Sequence, residues 1–428
     1  MLETTHVVDS GGLVKETATE FSVDAHVYTD AATFDVEMRR VFHHSWVYVA
    51  HESEIPNPGD YRTSAVGRTP VIVTRAQDGD IHVLVNTCRH RGAMVCREER
   101  GNAQFFRCPY HGWTYRNDGR LALVPDVARY PADWVEQIGG LIAAPRVSSL
   151  YGMIFARFSD DGEDLESYLG AMKQYVDLWF SHSPSRSLRV LPPYRALYPG
   201  NWKLQVENST DGHHARFVHE SAIRTMEHFG TRNRQAGWAG GTHGFDYGHG
   251  ILERPRDDIP PEVQPQFDEL RALLTETYGQ EETDRIFVRR QITLFPNFHL
   301  MEFKFRLVQP ITVDQSIIYE FPVQLDGVPD HVNEGALRRV MKEISISSGS
   351  AVSGFVNADD LEVFARVQTG LTGWPDQRVQ FARGLEHEQE APSGEWIGEG
   401  TDELPQRSFY REWRRLMYGQ GHGQGPLL

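Results

Sequence analysis

The sequence is poor in cysteine, in long apolar runs and in positive charge. Three cysteines in 428 residues leave no disulfide framework, and an odd count fits a reducing compartment. No stretch approaches the ~20 apolar residues that cross a bilayer. The N-terminus, MLETTHVVDSGGLVKETATEFSVD, has no basic start followed by an apolar core, so a cytoplasmic chain without a secretory leader is expected. Forty-three basic against 59 acidic residues give a formal net charge of −16. That balance argues against nucleic acid and anionic membranes as partners. No G-x-G-x-x-G opens a helix after a strand, so the chain shows no dinucleotide-binding fingerprint. Histidine, by contrast, is abundant at 19 residues. Few cysteines with many histidines leave a metal site open.

The length suits about three domains, or two of unequal size. Hydrophobic residues at 40% and charged residues at 24% are ordinary globular usage. Thr29-Asp30 followed by AATFDVEMRRVF predicts a capped helix with Phe34, Met38, Val41 and Phe42 on one face. From Ser45 to Phe158, short β-rich runs such as PVIVTR, IHVLVNT and GMIFARF alternate with Gly, Asp and Pro turns, which predicts a small all-β unit. Asn117-Asp118-Gly119 between WTYR and RLALV predicts a hairpin. Helical spacing returns at 164–180. Farther on, RQITLFPNFHLMEFKFRLVQPITVDQSIIYEFPVQL holds at least three strand-like runs. Asn333 is expected to cap the helix EGALRRVMKEISI, and Phe409, Trp413, Leu416 and Met417 share a helical packing stripe. No internal repeat is evident. The last ten residues, half Gly or Pro, are expected to be disordered.

Two constellations carry chemistry. The first is N-T-C-R-H-R-G at 86–92 and R-C-P-Y-H-G-W at 107–113. Each loop contributes one cysteine and one histidine: Cys88 with His90, and Cys108 with His111. Two thiolates and two imidazoles fit a tetrahedral structural zinc. They equally fit a [2Fe–2S] centre with two Cys on one iron and two His on the other. Zinc sites more often draw like ligands from each loop, so the interleaving favours the cluster. Cys96 lies outside the pattern and is expected to be a small buried hydrophobe.

The second is NWKLQVENSTDGHHARFVHES at 201–221. His214 and His219 stand five apart, with Asp211 three before His214. On an ideal helix, positions five apart differ by 140°, so a bulge or a broken turn is required before both rings can meet one metal. Two histidines and a carboxylate make the facial triad of non-haem iron oxygenases. SGFVNADDLEVFARVQTGL at 353–371 supplies the carboxylate. Asp360 shares its helical face with Val363, Phe364 and Val367, whereas Asp359 faces Glu362 and Arg366. Asp360 is therefore the one carried inward, and a buried carboxylate needs a partner.

CRHRGAMVC and CPYHGWTYRNDG resemble the Rieske domain of aromatic-ring-hydroxylating oxygenase large subunits. NWKLQVEN, STDGHH and ARFVH, with the later NADDLEVF, resemble the catalytic domain of the same family. The resemblance spans roughly residues 30–420. It implies an α+β fold, with a small all-β Rieske domain beside a larger catalytic domain that has an antiparallel sheet and helices in a helix-grip-like arrangement. The expected division is an N-terminal arm and helix packing on the catalytic domain at 1–44, the Rieske domain at 45–158, the catalytic domain at 159–418 and a disordered tail at 419–428. Cys88, His90, Cys108 and His111 would hold the [2Fe–2S] cluster. His214, His219 and Asp360 would hold a mononuclear Fe(II). Asp211 would link a cluster histidine of one subunit to the iron-ligating histidine of its neighbour. A homotrimer is implied, with or without a small beta subunit, drawing electrons from a reductase or ferredoxin. One departure stands out: the family usually has Tyr before its first histidine ligand, and this chain has His213.

The resemblance implies cis-dihydroxylation of an aromatic ring, with monohydroxylation or demethylation on a related aromatic acid as the alternative. The Asn208–Asp211 spacing and ADDLEVF resemble the benzoate and anthranilate branch, whose substrates are aromatic carboxylates. Such a substrate wants a buried cation. Arg306 and Lys304, alternating in MEFKFRL, are the candidates, the alternative being that this polar face meets solvent. Phe295, Phe298 and Phe303 are candidates for an aromatic pocket, though core packing is the simpler expectation.

Overall fold

The structure, a computed structural model, describes residues 12–220, 224, 240–254, 259, 263–344 and 354–419, without the side chains of 342–344 and 354–357. The tail expected to be disordered lies outside the described residues except for Gly419. The chain divides into two compact units, Phe42–Leu165 and Met1–Val41 with Glu166–Leu428. No helix among the described residues is long and apolar enough to cross a membrane.

The smaller unit is built from short antiparallel strands. Ile81–Val85, Thr69–Arg75, Asp60–Val66 and Arg100–Asn102 form one sheet in that order. Arg146–Leu150, Met153–Arg157 and Val47–His51 form a second. The third sheet, Leu121–Leu123, Thr114–Arg116 and Phe105–Arg107, carries one of the Cys/His loops. The hairpin at Asn117–Gly119 forms as its turn residues predict. Gly119 takes φ +90°, and Arg116 N–H donates to the Arg120 carbonyl. Trp113, Tyr115, Phe106 and Ile72 fill the core around Cys88 and Cys108.

The larger unit is a ten-stranded antiparallel sheet with helices. The segment expected to hold at least three strands forms four: Arg289–Leu294, Phe298–Met301, Lys304–Thr312 and Gln315–Leu325. Asp30 caps the helix Ala31–Arg40 as expected, accepting from Thr33 N–H at 2.7 Å. The expected cap at Asn333 is corrected: the helix starts at Asp330. Asn333 lies buried inside it, pairing with both backbone groups of Leu325. The polar side chain serves a strand end, so its helix-capping signature is misleading.

Two buried carboxylates join segments far apart in sequence. Glu37, fully buried, receives Lys203 Nζ at 2.6 Å, Trp202 Nε1 at 3.1 Å and Trp413 Nε1 at 2.8 Å. Glu207 accepts from Tyr28 Oη at 2.8 Å and from Tyr410 Oη at 2.5 Å. The N-terminal helices, the helix Trp202–Ser209 and the C-terminal helix Leu404–Tyr418 thus meet on two acidic side chains. Isolated buried charge is costly, and these are satisfied by multiple donors. Removing one partner strands the other.

Lys203→Met should destabilise the unit by about 3–5 kcal/mol, the range for breaking a buried pair, read as a lowered urea midpoint. Burial pushes the Glu207 carboxyl up to about 7 from 4.5, against the hydrogen bonds of Tyr410 and Tyr28. The folded state therefore holds this proton more tightly than the unfolded chain. That contribution is complete below pH 4.5 and is lost as pH rises to about 7. Glu207→Gln should flatten this dependence, a difference of about 3 kcal/mol in unfolding free energies measured at pH 5 and pH 8.

Candidate active site

The two Cys/His loops share one backbone frame. Cys88 N–H donates to the Ala93 carbonyl at 2.8 Å, and Gly92 N–H donates back to the Cys88 carbonyl at 2.9 Å. Cys108 N–H donates to the Trp113 carbonyl at 2.8 Å, and Gly112 N–H donates to the Cys108 carbonyl at 3.1 Å. Gly92 and Gly112 both take φ +75°, a conformation that costs glycine little. The loops are therefore a structural repeat whose sequence trace is only C-x₃-G. Cys88 and Cys108 are both buried. The His90 and His111 rings meet edge to face with centroids 4.6 Å apart, and His90 stacks on Trp113 at 5.1 Å. Tyr115 Oη lies 3.3 Å from Cys88 Sγ.

A tetrahedral zinc would draw its donor atoms to within about 4 Å of one another. Among the described residues, no three of these four side chains bring ligand atoms within 4.8 Å of one another. Two thiols and two imidazoles, one of each from either loop, suit a two-iron centre.

In the larger unit, His214, His219 and Asp360 each offer a ligand atom within 4.8 Å of the others. The geometric obstacle of five-residue spacing is removed by a broken turn. The helix Trp202–Ser209 stops, and a single turn Ala215–Val218 follows. His219, at φ −97° and ψ 25°, leaves helical geometry. His214 Nε2 then lies 3.7 Å, and His219 Nε2 3.4 Å, from Asp360 Oδ1. Asp360 is buried on the helix Gly354–Gly373, in a stripe with Phe364, Gln368 and Leu371, so the inward phase expected for it is observed. Adjacent His213 is outside the metal group.

Each histidine of the group is backed by a carboxylate on its other nitrogen. Asp211 Oδ2 lies 3.3 Å from His214 Nδ1, and Asp359 Oδ2 lies 3.5 Å from His219 Nδ1. The carboxylates stand behind the rings at ion-pair distance, outside hydrogen-bond geometry, the place from which a carboxylate orients a ligating imidazole. Burial lowers the His219 pKa, which favours the neutral ring that metals bind. At His214 burial acts the same way, but the Asp211 carboxylate raises its pKa overall. Burial raises the Asp360 carboxyl despite both histidines, so the pocket favours a compensating cation. Asn208 completes the group, its Nδ2 lying 3.1 Å from both His214 Nε2 and Asp360 Oδ1. Neither Asn208 nor Asp359 stood out as a site residue in the sequence. Their signals were proximity to Asp211 and adjacency to Asp360.

Lys304 and Arg306 are buried, so the solvent-facing alternative does not hold. Arg306 pairs across strands with Glu320, its Nε 2.7 Å from Oε1, and donates from Nη1 to Ser209 Oγ at 3.1 Å. Lys304 Nζ lies 3.4 Å from Glu320 Oε2. Phe295, Phe298 and Phe303 are buried against Phe409, Phe305 and Phe267, in the core.

Two imidazoles and one carboxylate, gathered at a buried point with both rings oriented from behind, define a non-haem iron oxygenase site. Comparison with known proteins agrees. Residues 45–139 match the Rieske [2Fe-2S] domain, and residues 185–419 match the ring hydroxylating alpha subunit catalytic domain. The chain is 33% identical to the 2-halobenzoate 1,2-dioxygenase large subunit of Burkholderia cepacia, over 84% of this chain and 79% of that one. It is 31% identical to the anthranilate 1,2-dioxygenase large subunit of Acinetobacter baylyi, over 95% and 89%. A naphthalene 1,2-dioxygenase structure bound to phenanthrene superposes with a TM-score of 0.84 at 26% identity, over 96% and 95%. The chain belongs to the family of ring-hydroxylating oxygenase alpha subunits. It is a terminal oxygenase large subunit that uses a Rieske [2Fe–2S] cluster and a mononuclear iron, with electrons supplied by a separate protein.

Asp359→Asn should loosen Fe(II) at the mononuclear site by about 10–100-fold, the usual cost of losing a partner behind a ligand. Equilibrium competition with a chelator measures this, and the visible spectrum of the cluster should not change.

Proposed function

We propose that His214, His219 and Asp360 ligate the mononuclear iron, and that Cys88 with Cys108 and His90 with His111 ligate the two irons of the cluster. In this reading residues 45–158 carry electrons, and 159–418 with the N-terminal arm 1–44 activate oxygen. The reaction is cis-dihydroxylation of an aromatic carboxylate. The observation that carries the metal assignment is the convergence of three ligand atoms within 4.8 Å, with a carboxylate behind each imidazole. Ferrous iron in such a set keeps coordination positions open for dioxygen, and the cluster supplies single electrons. The protein's part is to aim both imidazoles, to place the Asp360 carboxylate beside them, and to keep the group buried.

Support for the substrate class comes from the relatives, whose names specify 2-halobenzoate, toluate and anthranilate. Asp211 supports assembly. Its Oδ1 is held by the backbone N–H groups of His213 and His214, while its side chain keeps 31% exposure. A carboxylate so fixed is suited to receive a further donor, and we assign it as the link to a cluster histidine of the neighbouring subunit in a homotrimer, with or without a small second subunit.

A second reading has a specific observation behind it. The chain is 30% identical, over 94% of its length, to an N,N-dimethyl phenylurea N-demethylase alpha subunit, whose name specifies demethylation. Turnover of benzoate, 2-halobenzoates and anthranilate with isotopic dioxygen and an electron-donating reductase separates the two. Both labelled atoms should appear in a ring diol. One labelled atom, or oxidation of an N-methyl substrate only, would establish the monooxygenase reading instead. His214→Ala should abolish product while the cluster's visible spectrum persists.

A further inference from the structure

Two histidines stand side by side at 213 and 214, and only the second joins the metal group. The two imidazoles follow one another in the turn that leads into that group, so something must settle which one ligates. The His213 ring lies edge-on to Phe217, with centroids 5.4 Å apart at 64°. Its Nε2 accepts a hydrogen bond from Arg383 Nη2 at 2.8 Å. A guanidinium has only donors and does not deprotonate in proteins. The Nε2 lone pair is therefore committed, and the ring's proton is assigned to Nδ1. A cationic donor holds that lone pair more firmly than the neutral Asn208 amide holds His214 Nε2 at 3.1 Å, so His214 keeps the nitrogen freer to take a metal.

Arg383 is itself held by the C-terminal part of the chain. Its backbone N–H donates to Glu403 Oε2 at 2.9 Å, and its carbonyl accepts from Arg407 Nη1 at 2.7 Å. Arg407 is fully buried. The same region touches the metal loop a second time. A Cβ on Gly212 would come within 1.9 Å of the Gly400 carbonyl oxygen, so the two backbones meet where only glycine fits. The turn Asp211–His214 is thus gripped at Gly212 by packing and at His213 by a hydrogen bond. Its own N–H groups in turn hold Asp211 behind His214.

We propose that Arg383 is a positioning residue that selects the iron ligand: by occupying His213 Nε2 it keeps that ring out of the coordination sphere and leaves the site to His214. The proposal rests on the assignment of His214, His219 and Asp360 to the iron. Its test is the nitric oxide complex of the ferrous site in the full-length holoenzyme with the cluster oxidised, when only the mononuclear site gives the high-spin nitrosyl resonance. Arg383→Met, which keeps the stem and removes the donor, should produce a second nitrosyl species or suppress nitrosyl formation, as a third imidazole fills an open position. Iron affinity should change by about tenfold, the scale seen when a ligand's outer partner is lost. Arg383→Lys should restore the wild-type signal in part. Adding His213→Phe to Arg383→Met should restore it fully, an outcome that a merely structural role for Arg383 would not give. An unchanged spectrum in Arg383→Met, or a changed one that His213→Phe does not reverse, would overturn the proposal. Loss of the nitrosyl signal in His214→Ala is the control. Its persistence there would overturn the ligand assignment itself and this selection with it, a failure visible without any Arg383 variant.

Discussion

The helix Trp202–Ser209, which leads into the metal-site turn, is anchored by a charge that has no access to water. Lys203 on its first turn and Glu37 from the N-terminal helix are both fully buried. Two tryptophan N–H groups share the same carboxylate. An ion pair in this setting gives little net stability but tolerates almost no displacement, because either partner alone would be an uncompensated buried charge. Glu207, one turn farther along, is held instead by two tyrosine hydroxyls. The helix that ends at Asn208 and Ser209 is thereby fixed at both ends, and the broken turn that follows begins from a rigid point.

That rigidity explains why an irregular segment can serve as a ligand platform. A five-residue spacing is wrong for one face of a helix, and the chain solves this by stopping the helix and starting a single new turn. Such a segment has few hydrogen bonds of its own and must be held from outside. Asp211 and Asp359 hold the rings, Asn208 bridges His214 and Asp360, and Gln368 ties the Asp360 helix back to Asn201 at 2.9 Å. Ligands from two helices far apart in sequence are registered against each other through the same core.

The extent to which the site could be read from sequence follows from how local each signal is. The cysteine and histidine pairs and the Asp360 helix phase depend on neighbours within a turn, and they were legible. Asp359 was set aside because its helical face is polar. It reaches His219 all the same, since a partner behind a ligand can sit at the edge of a face. Lys304 and Arg306 alternate with phenylalanines as a half-exposed strand would. Here both faces of the strand are covered, and the cations meet Glu320 across the sheet. That pairing depends on register with a strand about fifteen residues away, which periodicity does not encode. Asn333 misled for a related reason: a residue suited to capping one element was recruited by another. The doubled loop frame was missed because the repeat lives in hydrogen bonds, with only Cys and Gly left in common.

That frame separates where a donor stands from what holds the loop. Each loop closes between its cysteine and the residue five later, with glycine at the fourth place. The intervening positions carry no part of the closure. In one loop the imidazole stands two residues after the cysteine, and in the other three. The thiols therefore occupy equivalent places while the imidazoles do not, and the centre they surround is inherently lopsided. A scaffold of this kind is indifferent to ligand identity. The closing bonds are all main-chain, so a change of donor at the three positions between cysteine and glycine would leave them in place.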